Sequence, residues 1–334
     1  MNQKIVKIIA ILCGILLLLG GVLCMLARKD VPSHITYGMS FSVPYVLELG
    51  LDTKETLNAL ILDLGVRHFR LAAHWPLIEP REDVYDFELM DYQVRAVEAA
   101  EGTIIFGVGR RLPRWPECHV PLWVRDRSWE EQKQEILEYI ELVVTRYKGS
   151  NAITHWQVEN EPYLEIFATE FCGALDESFL EEEIALVKKL DPSRPVLVTD
   201  SGNLGTWTNP YRLGDAFGTS VYVYFWNPEL GQFKTILPAW FYRVKDKSMA
   251  LLHGEKETFL IELSLEPWLI EPIVSTPLST QFARMDAAKF DEIVAYARDT
   301  RFSKQYLWGG EWWYWLKAHG NDEMWNKGKA LMEE

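Results

Sequence analysis

The chain has 334 residues, of which 48% are apolar, enough for one α/β barrel of about 250 residues or for two average domains. Its formal charge of −14 argues against a nucleic-acid backbone as a partner. The 14 tryptophans, set among 48 acidic residues, suit a cleft in which indole faces stack on the apolar faces of sugar rings.

The first element is "IIAILCGILLLLGGVLCMLA", Ile8–Ala27, without a charge. A helix of that length spans about 30 Å, one hydrocarbon core. Lys4 and Lys7 precede it, and Arg28 and Lys29 follow. The run predicts a transmembrane helix in residues 1–29 that holds residues 30–334 at the membrane, outside the cytoplasm. A cleavable signal segment, giving a secreted protein, is the alternative. Cys13 and Cys24 lie inside this run and read as small apolar residues.

Beyond it, strand-like runs alternate with amphipathic ones. The predicted strands are 36–42, 67–72, 103–108, 153–159, 194–200, 217–224, 258–263 and 304–309. Asp52 with Glu55, and Ser128 with Glu131, predict capped helix starts between them. Ile136, Ile140, Val143 and Tyr147 recur on one helical face, and Gly65 and Pro192 mark helix stops. Eight strand–helix units predict a (β/α)8 barrel. An open doubly wound sheet is the alternative, but no G-x-G-x-x-G or P-loop supports it.

In such a barrel, chemistry sits at the C-terminal ends of the strands. The second strand ends with Arg70, His74 and Trp75, and the fourth with Asn160 and Glu161 in "HWQVENEPY". The sixth brings Tyr222 and Tyr224. The seventh carries Glu262, with Glu266 four residues later, and the eighth ends in Trp308, Glu311 and Trp312. A carboxylate inside the apolar run "TFLIEL" is costly unless it is paired or functional. Two carboxyl groups about 5 Å apart, one protonated and one ionised, are the machinery of a retaining glycosidase. Each of these residues also has a structural reading: a loop glutamate, a buried ion pair, or core tryptophans. Cys118 and Cys172 follow the third and fourth strands, which places both on one rim as a candidate disulfide. No H-E-x-x-H or H-x-x-E-H spacing predicts a metal, and no cofactor is implied.

The segment "VENEPY", an apolar strand ending in Glu about 100 residues later, and an arginine on the second strand resemble the clan A retaining glycoside hydrolases. "HWPLIEPREDVYDFELMDY" is similar to the second-strand region of cellulase-like family 5 and β-galactosidase-like family 42 members. The resemblance spans most of residues 35–316. It implies Glu161 as acid/base, Glu262 as nucleophile, Asn160 on the sugar 2-hydroxyl, Arg70 orienting Glu262, and Tyr222 donating to it. Where many relatives carry an aromatic residue two positions before the acid/base, this chain has Glu159. "LSLEPW" after Glu262 leaves Glu266 as the alternative nucleophile.

The expected function is a retaining glycoside hydrolase acting on an oligo- or polysaccharide. The alternative is a catalytically inactive carbohydrate-binding barrel. His74, Trp75, Tyr224, Glu266, Trp308, Glu311 and Trp312 are expected to contact substrate.

Overall fold

The computed structural model describes Gly14 and residues 20–28, 30–114, 117–269 and 271–334. Most of the predicted anchor, Ile8–Ala27, lies outside these residues. Among the described residues no helix is long and apolar enough to cross a membrane.

The strands are β1 (Thr36–Phe41), β2 (His68–Ala72), β3 (Thr103–Val108), β4 (Ile153–Val158), β5 (Val196–Asp200), β6 (Ala216–Val221), β7 (Tyr224–Asn227), β8 (Gly231–Lys234), β9 (Thr258–Ser264) and β10 (Lys304–Trp308). All but β7 and β8 close into a parallel barrel in the order β1-β10-β9-β6-β5-β4-β3-β2. The predicted strands match it within two residues at each end, with one exception. The run 217–224 is not one strand: the barrel strand stops at Val221. The Tyr222 N–H instead donates to the Asn203 side chain at 3.1 Å. The chain then enters an antiparallel ribbon, β7–β8, which sequence reading missed.

Helices cover the barrel for the reasons their sequences carry. At Trp129–Tyr147 the capping box is complete: Ser128 N–H donates to Glu131 Oε2 at 2.9 Å, and Glu131 N–H returns to Ser128 Oγ at 3.3 Å. At Thr53–Leu62 only half of the expected box forms. Asp52 accepts from Glu55 N–H at 2.8 Å, while the Glu55 carboxylate takes the Tyr314 hydroxyl at 2.7 Å. The outward strand residues pack with these helices into one large core. A separate apolar cluster of Ile105, Leu197, Phe259, Ile261 and Tyr306 fills the barrel interior.

Cys118 and Cys172 form a disulfide, Cα atoms 5.4 Å apart, tying the loop after β3 to the one after β4. The bridge closes a loop across 54 residues. Cys118→Ser is therefore expected to cost about 2–4 kcal/mol of stability. Chemical denaturation with and without reductant checks this, and an unchanged midpoint would refute it.

Candidate active site

The end of β4 sets the geometry. In an extended chain Glu159 and Glu161 would share a face. Both instead adopt left-handed backbone, φ 56° and 44°, a conformation costly outside glycine that concentrates at functional sites. Glu159 turns toward the loop after β3 and accepts the N–H groups of Arg110 (2.9 Å) and Arg111 (2.6 Å). Gly109, at φ 106°, makes this approach possible: a Cβ there would lie 2.5 Å from Glu159 Oε1. Glu161 belongs to the barrel mouth, its N–H fixed by Thr199 Oγ1 at 2.8 Å. The residue is only 4% exposed, and its Oε1 has no hydrogen-bond partner. Burial holds its pKa well above the usual carboxylate value, and the charges of Glu262 and Glu117 add to the effect.

Glu262, on β9, lies in the opposite environment. Arg70 Nη1 donates to its Oε1 at 2.6 Å and the Tyr222 hydroxyl to its Oε2 at 3.0 Å. Both of its oxygens therefore have a donor. Arg70 is itself locked by Gln157 Oε1 (2.8 Å) and Asn160 Oδ1 (2.6 Å). Asn160 Oδ1 also accepts from Thr199 Oγ1 at 3.3 Å, so that oxygen is fully engaged and what the side chain has left to offer is its amide N–H groups. Burial, then Glu262 and Glu161, hold the Tyr222 pKa well above that of a free phenol, so it remains a donor. Arg70, Asn160, Glu161 and Glu262 are thus one hydrogen-bonded and electrostatic unit.

The remaining predicted residues divide. Trp308 ends β10 at the mouth, 5.0 Å from the Arg114 guanidinium, which also lies 3.1 Å from the Tyr45 ring centre. Arg114 is ion-paired with Glu266, so Glu266 closes the rim rather than sharing Arg70 with Glu262. Glu311 is fully buried behind it. Its Oε1 accepts Ser42 N–H at 2.7 Å, its Oε2 has no partner, and burial pushes its pKa up to about 7. His74 is buried edge-on to His119, and burial lowers its pKa well below that of a free imidazole, which keeps it neutral.

Three expectations are corrected. Trp75 is core: it stacks on Tyr139 at 5.5 Å and donates to Glu79 at 2.7 Å. Trp312 is core: it is wholly buried and donates to Gln281 at 2.8 Å. Each sits in the first turn of the helix that follows its strand, where the side chain packs outside the barrel rather than into the mouth. Tyr224 points away as well, its hydroxyl bound to Glu292.

Sequence reading also missed Glu117. It reaches in from the loop after β3, held by Arg111 at 3.1 Å, close enough for the Glu262 charge to act on it. Burial raises its pKa. Nothing in "PRWPECHVP" marks it except its place before Cys118. A side cavity lined by Arg110, Trp129, Glu159 and Glu183 lies beyond the β4 kink and includes neither Glu161 nor Glu262. Among the described residues no cluster of His, Cys, Asp or Glu could hold a metal.

No family model matches this sequence, and no curated protein matches it. Solved structures do. The AHE enzyme from Alicyclobacillus herbarius superposes with a TM-score of 0.53 at 15% identity, over 84% of this chain and 90% of that one. A family 10 endo-beta-1,4-xylanase from Gloeophyllum trabeum gives 0.54 at 15% identity, over 83% and 84%. A beta-galactosidase from the haloarchaeon Halorubrum lacusprofundi gives 0.56 at 13% identity; 90% of this chain spans 58% of that enzyme's length. At such identities the likeness is one of fold: this chain is a (β/α)8 barrel of the kind those enzymes share.

Proposed function

We propose that this protein is a retaining glycoside hydrolase that cleaves β-linked O-glycosides, with Glu161 as acid/base and Glu262 as nucleophile. The observation that carries the reading is the opposed environment of two carboxyl groups close enough for the charge of Glu262 to act on Glu161. Glu262 accepts from Arg70 and Tyr222, whereas Glu161 is buried with an unpartnered oxygen and a raised pKa. Such a split assigns the roles of acid and nucleophile. That the similar structures include an endo-beta-1,4-xylanase and a beta-galactosidase supports the β-linkage.

In this mechanism Glu161 gives its proton to the glycosidic oxygen as Glu262 attacks the anomeric carbon. The alcohol leaves, and a glycosyl ester remains on Glu262. Esterification removes the Glu262 charge and with it the repulsion that helped keep Glu161 protonated. Glu161 then takes a proton from water, the hydroxide displaces Glu262, and the sugar departs. Asn160 offers amide N–H groups to a ring hydroxyl, and Trp308 supplies a flat face. The test is turnover of a panel of aryl β-glycosides by the purified protein. Sugar binding without turnover would favour a binding module instead.

The run Ile8–Ala27 is proposed as an anchor with the barrel outside the cytoplasm. The disulfide supports an oxidising compartment. The preceding segment joins the barrel at the N-terminal end of β1, the end opposite the mouth. The protein is expected to pellet with membranes and to resist extraction by salt. A soluble mature chain beginning after residue 20 would overturn this.

A further inference from the structure

The ribbon β7–β8 has no part in closing the barrel, yet it stands on the rim beside Glu262. Its two faces differ. Tyr224, Trp226, Gln232 and Lys234 make one face, which is fully engaged. Arg284 lies 4.1 Å from the Trp226 ring centre, Gln232 Nε2 donates to the Arg284 carbonyl at 2.7 Å, and Tyr224 and Lys234 both bind Glu292. The other face carries the cross-strand pair Phe225 and Phe233, stacked at 5.6 Å. Phe225 touches Trp268 at 6.1 Å, and Trp268 meets Tyr222 at 5.4 Å. Tyr222 is the donor to Glu262. A continuous aromatic track therefore runs from the carboxylate to Phe233, which is 41% exposed.

Near its outer end, beside the exposed and ion-paired Lys234, two exposed side chains are aliphatic. Ile236 is 96% exposed and Leu204 is 52% exposed. They flank Thr235 and Asn203, whose 3.5 Å hydrogen bond brings the two segments together. Flat rings stack on sugars, but isoleucine and leucine offer a sugar nothing that water does not. Exposed apolar side chains grouped beside a site are what an apolar ligand would cover.

The mouth also has a direction. The sugar-holding groups Arg70, Asn160 and Trp308, and Arg114, which Glu266 reaches from the loop after β9, occupy the arc from β10 through β1 to β4. The arc from β5 to β6, where the ribbon stands, lies on the other side of the two carboxylates. If the glycone fills the first arc, the leaving alcohol exits over the second.

Building on the hydrolase reading above, we propose that the ribbon is an aglycone subsite for an apolar alcohol, and that the substrate is a glycoside of a lipid or similar hydrophobic group. The test uses alkyl β-glycosides of the sugar that the aryl panel selects, butyl to octyl, below their micellar concentrations. An open groove buries about half of each methylene, so kcat/KM is expected to rise about twofold per methylene and about fifteenfold across the four methylenes of the series. Phe233→Ser and Ile236→Ser, each checked for an unchanged melting temperature, are expected to flatten the series. The octyl-to-butyl ratio is the readout, which a general fall in activity does not move. A flat wild-type series, or a rise with added sugar units instead, overturns the aglycone subsite and leaves the hydrolase intact. A shift of these variants from dimer to monomer with the ratio unchanged would show that the patch binds a second copy, which also overturns it. No turnover of any glycoside overturns both readings.

Discussion

Glu262→Ala is expected to lower kcat by about 10⁴-fold or more, the scale seen when a covalent catalyst loses its nucleophile. Sodium azide should restore turnover, with the glycosyl azide formed in inverted configuration. Removing the side chain leaves a hole beside the anomeric carbon, and a small anion can attack from the face Glu262 occupied. The hole remains positively biased, because Arg70 stays in place through Gln157 and Asn160. That bias should draw in azide. Glu266→Ala is the control. Glu266 is bound to Arg114 and does not touch Arg70, so its loss should disturb the rim and spare the chemistry. Azide rescue at Glu266 rather than Glu262 would reverse the assignment. Arg70→Lys tests the support: a lysine cannot hold Glu262, Gln157 and Asn160 at once, so kcat should fall with KM changing little.

Much of this site could be read from sequence because the residues concerned are extreme for their surroundings. Glu262 and Arg70 are charges within apolar strands, a pattern that burial penalises unless the groups meet, and they do, at 2.6 Å. Asn160 and Glu161 stand where a barrel strand must end. The eight barrel strands were legible because each is a short β-prone run bounded by a helix. The β7–β8 ribbon was not: its strands are four residues each, and β7 continues the β6 pattern almost without a break. The stop at Val221 is set by Asn203, far away in sequence. Glu117 was invisible for the same reason, since its loop is positioned by Arg111, the disulfide and Glu266 together. The tryptophans misled in a different way. An indole suits a core as well as a sugar, and Trp75 and Trp312 satisfy their N–H groups inside the helical layer.

Glu161→Gln is expected to cost activity and gain stability, with both effects depending on pH. In the proposed role of general acid, Glu161 must be protonated. Wild-type kcat/KM should therefore fall as pH rises through its raised pKa, and the glutamine variant should lack that limb. General acid catalysis contributes about 10²–10⁴-fold, and most where the leaving alcohol is poor. Phenyl and alkyl glycosides should lose most of that factor, while dinitrophenyl glycosides, which leave unaided, should keep a fast first step. The stability effect has its own sign. Folded Glu161 holds its proton above the pH at which the unfolded carboxyl, of pKa about 4.3, releases it. Between these two values the native state binds more protons than the unfolded one, so rising pH lowers stability by up to about 1.4 kcal/mol per pH unit. Glutamine carries no charge and escapes this loss. The variant should therefore melt close to wild type near pH 4 and above it near pH 7, with the gap widening in between. The left-handed backbone at Glu161 stays in both proteins, so its strain cancels. An equal melting difference at both pH values would mean that Glu161 is not held protonated in the fold, and the acid/base assignment would fail with it.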